Sequence, residues 1–334
     1  DSNVTKSNIS ESNVTNSNLT DTKVEGSNVT NANLKNATIE GSNFTAIDTN
    51  ESLTNATFAP NATFSNSNIT DQSVVEATNV TKTNNSSINL TADLSKVNMT
   101  NSSFTGASSK DGDVWVNVTG GVNGTDFVGG ATTNGSATAF VNFTNSNING
   151  NFTAASSQNK NATGATELSN TSVSGDIYAG VTTGGNASNI NLTLSNITAG
   201  GDIYAGWVKD NANGWASNNT VSLSGQINAS NSTLYGGFVQ SGTTSSGKIE
   251  INNSKNNTLI VNTLNASLKD IKNFDFIKFL IPTNVTVNDT LLNLTGTGVT
   301  DLSKTNFTIA PEIDAGKSFT DKLEGTNIIT LIKK

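Results

Sequence analysis

Cysteine, histidine and arginine are absent from the 334 residues, and proline (3), methionine (1), tryptophan (3) and tyrosine (3) are scarce. Each gap closes off some chemistry. Without cysteine there is no disulfide staple. Without cysteine or histidine, neither the usual zinc sites nor a Ser-His-Asp or Cys-His nucleophile can be built. All 18 basic side chains are lysines, set against 26 acidic ones for a net charge of −8, so a phosphate-tracking nucleic-acid surface is not expected. No run of 18 apolar residues occurs, and no transmembrane segment is expected in this chain. Its first residues do not read as a signal peptide, so a mature segment of something larger is expected.

What is present is polar. Asparagine (54 residues) and serine plus threonine (88) exceed 40% of the chain. Such a composition alone would suggest disorder, but the apolar residues are regularly spaced, which points to internal repeats. From Val4 they fall every fifth residue: Val4, Ile9, Val14, Leu19, Val24, Val29, Leu34, Ile39 and Phe44. A small side chain stands two residues before each, from Ser2 and Ser7 through Thr22 to Ala37 and Ser42. After a slip the beat resumes at Leu53 and Phe58, at Phe64, Ile69 and Val74, and at Leu94, Met99 and Phe104.

A period of five fits neither a helix nor a flat strand. It fits a square coil in which each side turns one large and one small residue inward. Four sides make a turn of about twenty residues, and turns stack at roughly 4.8 Å. This stretch resembles the pentapeptide-repeat family over about 1–105. It departs from that family's consensus in preferring Val and Ile to Leu at the centre. About five turns, some 25 Å of coil, are expected.

A longer beat follows. Phe127, Phe152, Ile177, Ile203 and Leu234 hold equivalent positions in related strings such as Asp126-Phe127-Val128-Gly129-Gly130, Asp176-Ile177-Tyr178-Ala179-Gly180, Asp202-Ile203-Tyr204-Ala205-Gly206 and Leu234-Tyr235-Gly236-Gly237. Each is followed by a Gly/Asn-rich loop and an alternating strand such as Ile190-Asn191-Leu192-Thr193-Leu194. Short strands at a fixed long period indicate a parallel β-solenoid, because one rung cannot bury its apolar face alone. A β-sandwich is the competing architecture, but it does not require equal spacing. The expected fold is all-β: an elongated, right-handed parallel β-solenoid. A four-sided pentapeptide coil covers 1–105, wider rungs of about 25 residues cover 106–255, and an apolar-richer β cap at 256–334 shields the open end.

The Ile-Tyr-Ala-Gly and Leu-Tyr-Gly-Gly strings, with the apolar strands near Phe274–Pro282 and Ile328–Ile332, resemble passenger domains of bacterial type V autotransporters. That resemblance implies a passenger processed from its outer-membrane barrel, hence an extracellular or bacterial cell-surface setting and, most often, adhesion.

Asn-x-Ser/Thr sequons occur 37 times, where this composition would give about 14 by chance; past residue 105 there are still 20 among 33 asparagines. The pentapeptide beat accounts for part of the excess. Candidate glycosylation sites include Asn3, Asn13, Asn18, Asn28, Asn43, Asn117, Asn142, Asn151, Asn191, Asn196, Asn284 and Asn293. An acid stands two residues before Asn3 and Asn13, as some bacterial glycosylation systems prefer. The plainer explanation is that Asn and Thr suit exposed turns.

Other constellations are thinner. Asp126, Asp176 and Asp202 stand at strand starts, where paired carboxylates could serve glycoside hydrolysis or calcium but more simply close a turn. The same holds for Asp111-Gly112-Asp113. Tyr178, Tyr204 and Tyr235, in register, form either an internal ladder or an exposed sugar-stacking stripe. Trp207 and Trp215, read as lying in an unrepeated loop, are the leading ligand-contact candidates. An ice-binding Thr face (Thr5, Thr15, Thr20, Thr30, Thr45) is interrupted by Asn, Lys and Glu, and an acidic DNA mimic fits poorly with the extracellular setting that the sequon excess favours.

The expected function is a surface-displayed adhesin or stalk, densely N-glycosylated, whose partner is a receptor or glycan on a host or bacterial surface. A self-associating surface-layer or filament subunit is the alternative, and a polysaccharide-acting β-helix enzyme the third. No catalytic residue, metal or cofactor is expected.

Overall fold

Regular five-residue spacing fixes how often the chain returns to the core, but not how sharply it bends at each corner. That bend sets the number of sides. In the computed structural model the first turns close after fifteen residues: Ser2 pairs with Ser17 and Val4 with Leu19, Ile9 with Val24, and Val14 with Val29. The structure describes residues 2–11, 13–25, the strands between Asn28 and Asp93, 104–311 apart from 125, 212, 245–246 and 287, and 329–334. Side chains are described for most of 3–24 and of 105–310, and for 329–334. Among the described residues all regular structure is strand.

The four-sided expectation is therefore corrected to three sides for the opening turns. Lys6, Glu11 and Asp21 take positive φ (51°, 46° and 52°). This sharp left-handed corner is uncommon outside glycine, asparagine and aspartate. A twenty-residue step appears only later, where Asn43 pairs with Thr63. Leu19 and Val24 are wholly buried, and Val4, Ile9 and Val14 are half-buried against them. The side chains of Leu34, Phe44 and the later members of the beat lie outside the described residues.

At the two corners where its side chain is described, the small residue two before the apolar one closes the turn. The Ser7 hydroxyl donates to the Thr5 carbonyl (3.0 Å) and that of Thr22 to the Thr20 carbonyl (2.9 Å). The same device recurs in the wide coil. Asn145 and Asn170 hold positive φ, and the next residues, Ser146 and Thr171, donate to the carbonyls of Thr144 and Ser169. One corner chemistry thus serves both coils.

The wide rungs stack as the spacing requires. Phe127, Phe152, Ile177, Ile203 and Leu234 form one in-register column, continued by Ile271, and all are buried. Phe127 lies flat on Phe152 at 5.1 Å, with Phe143 edge-on at 4.6 Å to Phe127. The wide rungs begin before the expected boundary at 105. Strands Asn79–Lys82 and Ile88–Asp93 already pair with Phe104–Ser109 and Val114–Gly120, Ile88 meeting Val114.

Nor do the described strands of 256–334 form a separate cap. Thr258–Asn262, Ala266–Lys272, Phe276–Ile281 and Thr290–Leu294 add further parallel rungs, with Leu259 over Val221 and Ile277 over Leu259. Their alternating inward side chains make them rungs like the others. One antiparallel hairpin, Phe238–Thr244 with Gly247–Glu250, projects from the coil and lengthens its rung.

One column contains a misfit. Val118, Val141, Thr166, Leu192 and Val221 stack inward, and the Thr166 hydroxyl is buried with no hydrogen-bond partner. An orphaned buried hydroxyl costs about 1–3 kcal/mol. Thr166→Val keeps the shape and removes that cost, so it should raise the urea midpoint by about 1 kcal/mol in stability. An unchanged or lowered midpoint would mean that the hydroxyl has a partner.

Candidate functional site: an aromatic stack and outward asparagine columns

The recurring Asp-Ile-Tyr-Ala-Gly string resolves into one structural role per residue. The aspartate takes an amide from the next rung: Asp126 Oδ1 accepts from Asn151 N (2.7 Å), Asp176 Oδ1 from Asp202 N (2.7 Å), and Asp202 Oδ1 from Thr233 N (2.8 Å). Asn151 fills the rung between Asp126 and Asp176, its Oδ1 accepting from Asp176 N at 2.9 Å. Ile203 and Ala205 enter the core, and Tyr204 enters the aromatic cluster on the opposite face. Gly206 is required by close approach: a Cβ there would lie 2.2 Å from the Ala187 carbonyl oxygen.

These aspartates are therefore committed to rung-to-rung bonding rather than paired across a cleft. The Asp111-Gly112-Asp113 turn is used likewise, Asp111 Oδ1 accepting from Asn134 Nδ2 and Asp113 Oδ1 from Ser136 N. Among the described residues no three acidic side chains gather as metal ligands would.

The three tyrosines form a continuous stack. Tyr178 lies over Tyr204 at 5.3 Å and Tyr204 over Tyr235 at 4.7 Å, near-parallel in both pairs. Beside them Val181, Trp207 and Phe238 form a second in-register column. Tyr204, Trp207, Tyr235 and Phe238 are buried, and Tyr178 and Val181 pack on them half-covered. Trp207 is thus corrected from a loop contact residue to a packed rung residue with counterparts above and below. Its partners there are Val and Phe, so no repeated Trp marks the position in the sequence. Of the two loop candidates only Trp215 is open, 41% exposed, with the Lys255 ammonium 5.5 Å from its ring. Its backbone is tied to the rung before it, donating to Asn186 Oδ1 and accepting from Ala187 N.

Interior asparagines do different work. Asn219 and Asn257 are wholly buried. Asn219 accepts from Ile190 N and donates to the carbonyls of Ala187 and Gly236, while Asn257 Oδ1 accepts from Asn219 N. Neither is the acceptor of a sequon, each being instead the middle residue of one, Asn218-Asn219-Thr220 and Asn256-Asn257-Thr258. Every sequon asparagine of described burial is exposed or half-buried: Asn3, Asn13, Asn18, Asn142, Asn151, Asn191, Asn196 and Asn284 are exposed, Asn117 and Asn293 half-buried. The side chains of Asn28 and Asn43 lie outside the described residues, although their backbones stack in register on Asn13. Part of the asparagine excess has a backbone cause, since Asn170, Asn196, Asn218, Asn256 and Asn265 occupy positive-φ corners that asparagine tolerates.

Two exposed aromatics fell outside the sequence expectation. Trp115 and Phe140 stand outward on neighbouring rungs, ring centroids 5.7 Å apart. The strict alternation of Val114-Trp115-Val116-Asn117-Val118 and of Ala139-Phe140-Val141-Asn142-Phe143 carried that signal.

Residues 1–48 match the family model for pentapeptide repeats in eight copies. The chain is a parallel β-solenoid opening in pentapeptide repeats. No curated protein matches it.

The stack makes a pH prediction. Burial first, then a neighbouring carboxylate (Asp176 for Tyr178, Asp202 for Tyr204 and Tyr235), holds all three phenols well above their ordinary value near 10. The folded phenols therefore keep their protons where the unfolded ones lose them. The stability this supplies is full below pH 10 and is lost as pH rises further. These are the chain's only tyrosines. Tyrosinate absorbance should therefore stay low past pH 10 in folded protein and rise together with loss of circular dichroism. A free titration near pH 10 in folded protein would contradict the stack.

Proposed function

We propose that the chain is a surface-displayed stalk or adhesin of the autotransporter-passenger kind, carrying N-linked sugars along its flanks. The observation behind this reading is the sorting of asparagines: every sequon acceptor of described burial is exposed or half-buried, and the two fully buried asparagines are not acceptors, although each follows an exposed one (Asn218, Asn256). Burial alone does not require a hydroxyl two residues after an outward asparagine, yet 20 of 33 asparagines past residue 105 have one. A rod of stacked rungs presents repeating flanks suited to many weak contacts with a receptor or glycan on a neighbouring cell. The reading places the chain outside the cell and assigns it no catalytic step.

Intact-mass measurement on protein from its native source tests this directly. Increments of hexose or N-acetylhexosamine size above the mass of the bare polypeptide are expected; a bare mass would remove glycosylation from the reading.

Self-association is the second reading, and one observation favours it. Phe307 and Ile309 continue the inward columns of Ile277 and Phe279, yet they are 48% and 58% exposed. A second copy stacked on this rung would cover them and extend the ladder. Light scattering at micromolar concentration separates the two readings, a monomer favouring the adhesin.

A further inference from the structure

The pair Trp115 and Phe140 is odd for a polar flank. Both are large aromatics about two-fifths exposed (37% and 40%), on a surface whose other outward residues are mostly Asn, Thr and Ser. Each stands two residues before a sequon asparagine, in Trp115-Val116-Asn117-Val118-Thr119 and in Phe140-Val141-Asn142-Phe143-Thr144. Both strands alternate strictly, the valines and Phe143 buried and the intervening residues outward. Ring, asparagine and hydroxyl therefore share one face, with successive members roughly 7 Å apart along the strand.

Register supplies the rest. Asn117, Phe140, Ala165 and Asn191 form one outward column, and Thr119, Asn142, Glu167 and Thr193 the column beside it. Where the first column drops from Phe140 to Ala165, a cavity of about 240 Å³ opens, bounded by Phe140, Asn142, Glu167 and Asn191. Phe140 walls it, Ala165 floors it, and the exposed Asn142 amide stands at its rim.

We propose that Asn142 carries a glycan whose first pyranose ring lies against Phe140 and seats in the notch over Ala165. An N-linked sugar presents a face of C–H groups that an aromatic ring can cover, while its hydroxyls and N-acetyl group meet the Glu167 carboxylate and the Asn191 amide. Attachment at Asn142 holds the ring at high local concentration. Trp115 stands in the same relation to Asn117, which is half-buried and hence the less accessible of the two. The inference rests on the N-glycosylation reading above and adds to it a particular asparagine and a seat for its sugar. An unattached sugar could supply the same chemistry, but the −2 placement of both rings favours the covalent source.

The test uses the full chain made in a host that glycosylates Asn-x-Thr, with site occupancy mapped by peptide mass spectrometry. Unfolding is compared for the wild type, Phe140→Ser, Asn142→Gln and the double variant. Phe140 is half-exposed, so its replacement leaves the core intact, and Ala165→Phe provides a second probe by filling the notch. The expected result is an occupied Asn142 whose glycan stabilises the protein only when Phe140 is present. The coupling should be about two- to ten-fold in the unfolding equilibrium, the range of aromatic contacts, and should vanish in Ala165→Phe. Occupied Asn142 with additive effects would overturn the seat while leaving glycosylation standing. An empty Asn142 among occupied sequons would overturn the assignment, and an empty chain would remove both. Saturable binding of free N-acetylglucosamine to unglycosylated protein, without coupling in the glycosylated one, would place the sugar in trans and likewise overturn it.

Discussion

Backbone stacking of one rung on the next, in parallel and in register, is the constraint from which the other features follow. Strands roughly 4.8 Å apart force each side chain to lie on its equivalent above and below, so every column must tolerate its own repetition. Inside, that favours aliphatic and aromatic columns such as Phe127-Phe152-Ile177-Ile203-Leu234. At strand starts it favours side chains that accept the next rung's amide, as Asp126, Asn151, Asp176 and Asp202 do in succession. A like-charged aspartate column would repel itself; engaging each carboxylate with an N–H, and interposing Asn151, offsets this.

The same rule explains why the chain manages without cysteine, histidine or arginine. Stability in a coil of this kind is close to a sum of rung and interface terms, so no single staple or ion-pair network has to hold the fold. Corner chemistry is shared by the narrow and wide coils: a positive-φ residue, then an inward hydroxyl bonded to the carbonyl two residues back. Asparagine is therefore favoured twice, at corners for its backbone and on flanks for its polarity. The sequons that remain on straight strands, such as those at Asn117, Asn142 and Asn191, are the ones that corners do not explain.

Much of the architecture was legible in the sequence because periodicity survives without knowledge of bend angles. The five-residue beat and the column through Phe127 and Leu234 were readable, since inward spacing is written in apolar residues. The number of sides was not, because it depends on φ at Lys6, Glu11 and Asp21, of which only the aspartate is a residue type that favours a left-handed corner. Trp207 was misplaced for a related reason: its stack partners, Val181 and Phe238, share its column but not its residue type. Outward placement of sequon asparagines followed from the alternation. The pairing of Phe140 with Ala165 across rungs needed the register, which no single strand reveals.

Register is thus the quantity to measure. The chain's lack of cysteine lets nitroxide labels be placed at will. Labels at Asn3 and Asn18, and separately at Thr138 and Thr163, should sit on adjacent strands about 5 Å apart in backbone and give strong spin–spin broadening. A pair at Asn3 and Lys23, twenty residues apart, should not. Broadening in the twenty-residue pair but not the fifteen-residue one, or sharp lines in all three, would contradict the stacked coil described here.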